Sequence, residues 1–219
     1  MFDCCKKEPD VKEPTKIMTA KVFIVYYSTY GHVRQLALAM KQGIDSVEGV
    51  EGVLYQCPET LPKEVLEKMH APPKPSDPVI NIDDLPKADG FAFGTPTRFG
   101  GPSAQMKAMW DATGAHWGAG ALQCKPFTLF TSTASQNGGQ ESTMLTMLSN
   151  MVHHGMIYVP PGYITPATNF DMTEIHGGSA WGPGCLAGGD GSRQPSEKEL
   201  AFAKDSGAKL AKITLKLKA

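Results

Sequence analysis

The residues best suited to hold an anion lie near the N-terminus, between an apolar run and an amphipathic pattern. The apolar run covers residues 22–27 and is followed at once by STYGH, residues 28–32. From residue 33 onward, apolar side chains recur at helical spacing, as in a helix with one buried face. A helix N-terminus leaves several backbone N–H groups without partners, and two hydroxyls stand beside it here. This spacing therefore predicts a loop that binds a phosphate group.

Hydrogen bonds, rather than the helix dipole, would supply most of the affinity of such a loop. The dipole contributes roughly 0.3–1 kcal/mol, whereas a hydrogen bond to a charged group contributes about 1.5–3 kcal/mol. Several converging donors can therefore hold a phosphate although residues 28–32 contain no lysine. The chain has neither a GxxxxGK nor a GxGxxG pattern. An alternative is that Ser28 only caps the helix, and this stretch alone does not separate the two interpretations.

Two further apolar runs end in polar loops that contain glycine. Residues 88–94 precede TPTRFGG, residues 95–101. Residues 125–131 likewise precede STASQNGG, residues 132–139. Functional side chains concentrate in loops that a rigid scaffold positions, so the place of Arg98 in the first of these loops favours a ligand contact over a surface charge.

Strands and helices alternate along the chain, and this alternation would position the three loops. Candidate strands cover residues 22–27, 52–57, 88–94, 125–131 and 156–160. Six prolines between residues 58 and 78 predict an irregular crossover with one short helix near residues 63–69. The spacing of Ser196 and Glu199 predicts a capping box at the start of the last helix. The pattern predicts an α/β fold with a doubly wound parallel sheet, whose ligand crevice lies at the carboxyl ends of the strands.

Length and composition limit the classes of protein that fit. A chain of 219 residues with 41% apolar and 20% charged residues fits one globular domain. We expect a flexible polar leader at residues 1–19 and a domain at residues 20–219. The net charge of -1 gives no reason to expect nucleic acid as a partner. No apolar stretch approaches the roughly 20 residues that cross a bilayer, and the N-terminus has no secretory h-region.

The cysteines and histidines suggest neither a disulfide framework nor a metal site. Five scattered cysteines without zinc spacing indicate a reducing compartment, so we expect a cytoplasmic protein. Cys57, Cys124 and Cys185 are expected to be small buried hydrophobic residues. The histidines lack ligand spacing, so no metal is predicted. Adjacent Cys4 and Cys5 precede two lysines and are candidates for S-acylation at the cytoplasmic face of a membrane; the alternative is a disordered tail.

Five motifs occur in order along the chain: YYSTYGHV, GTPTRFGG, GGQE, HHGM and AGGDGSRQPSEKEL. Together they resemble the WrbA-type flavoprotein NAD(P)H:quinone oxidoreductases, over roughly residue 21 to the C-terminus. The resemblance implies a flavodoxin-like fold with five parallel strands in the order 2-1-3-4-5 and helices on both faces. It implies FMN as cofactor, NAD(P)H and a quinone as substrates, and a homotetramer arranged as a dimer of dimers. It also implies that residues 162–194 are an insertion near the active site.

The resemblance further implies which residues touch the ligands. The implied FMN contacts are Ser28, Thr29, Tyr30, Gly31, His32, Val33, Thr95, Pro96, Thr97, Arg98, Phe99, Gly100, Ser132, Thr133, Ala134, Ser135, Gln136, Asn137, Gly138 and His153. Tyr30 also matches a position associated with NAD(P)H, and Trp117 matches an aromatic residue that flanks the substrate space across a subunit interface. No side chain is expected to be an obligatory acid or base, although His153 could stabilise the reduced flavin. The loop at 132–139 is one residue longer than is usual in the family, and Gly101 replaces a frequent Asn.

Three functions remain as hypotheses on these observations. The leading one is two-electron reduction of quinones with NAD(P)H, in which the two substrates share one pocket and give ping-pong kinetics. The second is a one-electron flavodoxin-like carrier, although short flavodoxins tend to be strongly acidic and this chain is nearly neutral. The third is a membrane-associated signalling or scaffold protein that uses the flavin fold for binding. The absence of a GxSxG elbow counts against a hydrolase.

Overall fold

The computed structural model describes residues 19–218 and shows a parallel sheet between two layers of helices. The strands are β1 (Ala20–Tyr26), β2 (Val50–Gln56), β3 (Gly90–Pro96), β4 (Pro126–Thr133), β5 (Ile157–Tyr158) and β6 (Gly184–Leu186). The helices are α1 (His32–Asp45), α2 (Lys63–Lys68), α3 (Ala104–Asp111), α4 (Gly114–Gly118), α5 (Gln140–His153), α6 (Pro166–Asn169) and α7 (Glu197–Lys218), with a 3-10 helix at Ile82–Lys87. The leader, with Cys4 and Cys5, lies outside the described residues apart from its last residue.

The strand order confirms the predicted flavodoxin-like topology. The sheet runs β2-β1-β3-β4-β5, and the pairings along it are parallel. A short sixth strand extends this sheet. Strand β5 pairs with the start of β4, and β6 pairs with the end of β4, where Thr131 lies opposite Gly184. The fifth position of the sheet is therefore filled by two short strands. Residues 159–183 leave the sheet between them, within the stretch predicted as an insertion.

The apolar runs form strands because both faces of the sheet are buried. Phe23 and Val25 of β1 point to one face, and Ile24 points to the other. The first face packs against α3 and α5, and the second packs against α1 and α7. A strand that is covered on both sides needs apolar residues at successive positions rather than an alternating pattern.

Helices α1 and α7 pack with their backbones unusually close. A Cβ atom added at Gly43 of α1 would clash with the backbone of Lys204 in α7, and one added at Gly207 would clash with the backbone of Met40. Glycine costs about 1 kcal/mol in a helix interior relative to alanine. The close approach of the two helices accounts for both glycines.

The capping box at the start of α7 is confirmed. Ser196 N–H donates to the Glu199 carboxylate at 2.7 Å, and Glu199 N–H donates to the Ser196 hydroxyl at 3.3 Å. The Glu199 side chain is fully buried and also pairs with Arg193 at 2.9 Å. It accepts from the N–H groups of Gly177 and Leu186 as well. One carboxylate therefore joins the inserted segment, β6 and α7.

Two sequence-based expectations need correction. The fifth strand covers two residues rather than 156–160, because its continuation along β4 is supplied by β6. Cys124 is exposed rather than buried: it lies just before β4 at φ 61°, where its N–H bonds to the Gly155 carbonyl at 2.9 Å. Cys57 and Cys185 are buried as expected. Among the described helices, none is long and apolar enough to cross a membrane.

Candidate functional site

The carboxyl ends of β1, β3 and β4 open into one cavity of about 400 Å³. Adjacent parallel strands bring their following loops together at this edge of the sheet. Eleven of the residues expected at the site line the cavity: Ser28, Thr29, Tyr30, His32, Val33, Pro96, Thr97, Arg98, Ser132, Thr133 and Ala134. The three loops that the sequence singled out therefore do converge.

The first loop presents backbone donors at the start of α1. Ser28 does not cap this helix: its hydroxyl accepts from Gly31 N–H at 3.0 Å, and Gly31 itself occupies the N-cap position. The first bond within the helix runs from Gln35 N–H to the Gly31 carbonyl at 3.1 Å. The N–H groups of residues 32–34 precede that bond, so they are the groups that a helix N-terminus offers to an anion.

Two glycines, Gly31 in the first loop and Gly189 in the cavity lining, leave room that a side chain would fill. Gly31 has φ 94°, a left-handed conformation that favours glycine, and a Cβ atom there would meet nothing within 4 Å. Gly189 lines the cavity without a left-handed φ, and a Cβ atom there would also meet nothing within 4 Å. Neither packing nor backbone strain accounts for Gly189. The open space beside Gly189 leaves room for the close approach of a phosphate-bearing ligand.

The second loop is a tight turn that brings Arg98 back toward the first loop. Arg98 and Gly101 exchange two backbone hydrogen bonds of 2.8 and 3.0 Å, and Phe99 and Gly100 between them have φ 53° and 78°. The Arg98 guanidinium donates to the Thr29 hydroxyl at 3.4 Å. Phe99 is fully exposed at the tip of the turn. The turn thus places a cation over the first loop and an aromatic ring in solvent.

Several expected site residues support the loops without lining the cavity. Thr95 is buried and its hydroxyl accepts from Ser103 N–H at 3.0 Å, which ties β3 to the start of α3. The Ser135 carbonyl accepts from Gly138 N–H at 3.3 Å and shapes the third loop. The expected residues outside the lining of this cavity are Gly31, Thr95, Phe99, Gly100, Ser135, Gln136, Asn137, Gly138 and His153. Gln136 and Asn137 instead line a neighbouring cleft of about 620 Å³.

A fourth segment, which lies within the insertion expected at residues 162–194 but was not among the expected cofactor contacts, completes the wall of the cavity. Residues 187–191, which follow β6, line it together with the three loops. Gly188 N–H donates to the Ala134 carbonyl at 2.9 Å, and a His32 ring nitrogen bonds to the Arg193 carbonyl at 3.0 Å. The AGGDG run was visible as part of a family motif. Its position at this edge depends on β6, which the sequence did not reveal.

Tyr30 stands at the rim of the cavity. Its side chain is about half exposed, and its hydroxyl donates to the Met69 carbonyl in the proline-rich crossover at 3.0 Å. The ring is thereby fixed beside the opening, where it could meet a second ligand that enters from solvent.

Trp117 and His153 lie together, but in a separate cavity of about 330 Å³ between α4 and the end of α5. Trp117 is 62% exposed. Beneath them, the Thr113 hydroxyl donates to the Trp110 carbonyl at 2.7 Å and therefore accepts from Nε2–H of His154 at 2.9 Å. Burial lowers the pKa of His154, and the neighbouring His116 and His153 lower it further.

The site holds no activated thiol. Cys185 lies beside Ser132 under the cavity, and burial raises its pKa to about 12, so the thiol stays protonated near neutral pH. Among residues 19–218, no group of three or more His, Cys, Asp or Glu side chains is arranged to hold a metal ion.

Comparison with known proteins gives the class to which this fold and site correspond. A family profile described as NADPH-dependent FMN reductase matches residues 20–169. The chain is 55% identical over 201 residues to the quinone-oxidoreductase QR2 of Triphysaria versicolor, covering 92% of this chain and 98% of that protein. It is 52% identical over 198 residues to the probable NAD(P)H dehydrogenase (quinone) FQR1-like 2 of Arabidopsis thaliana, covering 90% and 72%.

A solved structure agrees with the fold. The flavodoxin, WrbA-like protein from Agrobacterium tumefaciens superimposes with a TM-score of 0.62 at 26% identity, covering 90% of this chain and 99% of that one. The chain belongs to the NADPH-dependent FMN reductase family. The resemblance to WrbA-type flavoproteins that the five motifs indicated is thereby confirmed.

Proposed function

We propose that this protein is an FMN-dependent NAD(P)H:quinone oxidoreductase. The main support is that the loops after β1, β3 and β4 open into one cavity against the N-terminus of α1. The relatives described as quinone oxidoreductases match nine-tenths of this chain at about half identity. When bound, FMN supplies the hydride-transfer chemistry.

The residues that line the cavity would hold the cofactor. The N–H groups of residues 32–34 and the hydroxyls of Ser28 and Thr29 are donors suited to the phosphate. Arg98 brings a positive charge that would stabilise anionic groups of the nucleotide. We include residues 187–191 as a fourth cofactor-binding segment. The expected residues outside the cavity lining would act by shaping the loops, apart from His153.

NAD(P)H and the quinone would occupy the same space in turn. Tyr30 is half exposed at the rim and fixed by its bond to Met69, so it is suited to contact the nicotinamide nucleotide. Sharing one space predicts ping-pong kinetics, which appear as parallel lines in double-reciprocal plots. Intersecting lines would contradict this order of binding.

A spectrum and a turnover assay test the function. The purified protein should be yellow, take up FMN, lose its colour on addition of NAD(P)H and reduce benzoquinone without a partner protein. The Arg98→Ala variant should bind FMN at least about 10-fold more weakly, because a charge-assisted hydrogen bond contributes about 1.5–3 kcal/mol. A protein that binds FMN but needs a protein partner for turnover would be an electron carrier instead. A colourless protein that takes up no FMN would rule out both.

The assembly we propose is a homotetramer, a dimer of dimers, in which Trp117 and His153 complete the site of a neighbouring subunit. Two observations support it. These residues share a cavity separate from the one at the phosphate loop. Trp117 is also largely exposed, although an aromatic residue of that size is usually covered when it has a structural task.

Domain limits and location complete the proposal. Residues 20–219 would form one FMN-binding domain, with residues 162–194 as an insertion beside the site. We propose a cytoplasmic protein whose Cys4 and Cys5 are S-acylated and bring it to a membrane surface. A palmitate-exchange assay on the wild type and on a Cys4→Ser/Cys5→Ser variant tests the last point, and equal signals from the two would contradict it.

A further inference from the structure

A polar cluster beneath the first loop joins the proline-rich crossover to the residues that line the cavity. Glu59 lies near the start of this crossover with a side chain that is 20% exposed, and Lys74 pairs with its carboxylate at 2.9 Å. The same carboxylate accepts from the Tyr27 hydroxyl at 3.0 Å and from the Gln105 amide at 3.1 Å. The N–H groups of residues 60–61 also donate to it. Both carboxylate oxygens of Glu59 therefore have hydrogen-bond partners.

Lys74 contacts the first loop directly. Its ammonium group donates to the Ser28 carbonyl at 3.1 Å and lies 4.5 Å from the centre of the Tyr27 ring. Because the peptide bond is planar and trans, its C=O and N–H groups point in opposite directions. Fixing the Ser28 carbonyl therefore directs the Thr29 N–H away from Lys74. Thr29 is also one of the residues that line the cavity.

A second path runs from Glu59 to the other cavity loop. The Tyr27 hydroxyl, which donates to Glu59, accepts from the Thr29 hydroxyl at 3.4 Å. The Thr29 hydroxyl in turn accepts from Arg98 at 3.4 Å. Glu59 and Lys74 thus connect with both loops, although neither lines the cavity. Burial would raise the pKa of Glu59, but its hydrogen bonds from Lys74, from a backbone N–H and from Tyr27 hold it at about 2, so the carboxylate stays charged at neutral pH.

We propose that Glu59 and Lys74 are positioning residues that hold the Ser28–Thr29 turn in the conformation that binds the phosphate of the flavin nucleotide. This inference rests on the proposed function and adds a cause for phosphate recognition in a loop that has no lysine of its own. The crossover would thereby act on cofactor affinity without touching the cofactor. A pair that only fastened the crossover to the sheet would change stability, and it would not change the preference for a phosphorylated flavin.

The affinities for FMN and riboflavin separate these roles, because the two flavins differ only in the phosphate. Both dissociation constants are measured by quenching of flavin fluorescence, with the full chain freed of bound flavin. Lys74→Met should weaken FMN binding about 10-fold, the size expected when one phosphate hydrogen bond is misplaced, and should leave riboflavin binding unchanged. Glu59→Gln should shift the ratio in the same direction. Lys74→Arg keeps the charge and donors and should retain the wild-type ratio.

A matched control lies in the same crossover. Lys63 pairs with Glu67 at 3.6 Å on the exposed face of α2, so Lys63→Met should leave both affinities unchanged. If Lys74→Met weakens the binding of FMN and of riboflavin equally, or weakens neither, the inference is overturned while the proposed function stands. A wild-type protein that takes up no FMN would overturn the proposed function, and this inference with it.

Discussion

Single side chains at the site fall into two kinds, those that face the cavity and those that hold the loops. A different contrast is found at the separate cavity beside α4, where His154 departs from its sequence neighbour. His153 is exposed at the end of α5, whereas His154 is buried and held by Thr113. The two histidines look equivalent in the sequence, and only the packing of α5 against α3 and α4 distinguishes them.

Burial of His154 predicts a pH dependence of stability. Its pKa in the folded protein is lowered below the unfolded value of roughly 6.5. Above that value both states are neutral; as the pH falls below it, the unfolded chain takes up the proton first and the folded state loses stability. His154→Gln should therefore lose less stability than the wild type between pH 7.5 and 5, as measured by chemical denaturation. The control Val152→Gln, at an exposed and non-titrating position of α5, should keep the wild-type slope, and identical slopes for all three proteins would contradict the assignment.

Helices and strands could be predicted from the sequence where their apolar pattern is strong. The sequence predicted β1, β3, β4 and the helices that follow them, because apolar residues recur at different spacings in a buried strand and in an amphipathic helix. β6 could not be predicted. Its surroundings contain Gly182, Pro183 and Gly184, which have low strand propensity, and only pairing with the end of β4 makes this segment extended. For the same reason, residues 187–191 were expected near the site as part of the insertion but not among the cofactor contacts.

The close contact between α1 and α7 predicts that one added methyl group lowers the stability of the protein considerably. Gly43→Ala should destabilise the protein by about 1–3 kcal/mol, because overpacking outweighs the higher helix propensity of alanine. Thermal and denaturant unfolding would measure the loss. Lys212→Ala on the exposed face of α7 is the control and should stay within about 0.5 kcal/mol of the wild type. A Gly43→Ala protein as stable as the wild type would show that the helices separate at little cost.

At the scale of the whole molecule, we propose that the site is complete only when two subunits meet. The sequence located the three cavity loops and Trp117 separately. It could not show that one chain keeps Trp117 and His153 in a different cavity, because that separation depends on how α4 and α5 pack. The resemblance to a tetrameric family supplied this expectation.

Mixed oligomers test the shared site. Arg98→Ala impairs the cavity at the loops, and Trp117→Ala impairs the cavity at α4. If each site takes one cavity from each of two subunits, random mixing of two impaired variants restores about a quarter of the sites. Co-refolded variants should therefore reduce quinone faster than either variant alone. Activity no higher than the average of the two would show that Trp117 acts within its own subunit, and size-exclusion chromatography with light scattering would confirm that mixed particles formed.

The packing of α1 on α7 has a consequence for synthesis on the ribosome. Residues 32–45 emerge early, yet their apolar face is covered by residues 197–218, which are translated last of the described chain. Until residues 197–218 have been synthesised, the nascent chain carries the first loop on a helix whose apolar face is not covered by α7. We therefore expect chaperone binding at α1 to persist through almost the whole of translation, until residues 197–218 have left the exit tunnel.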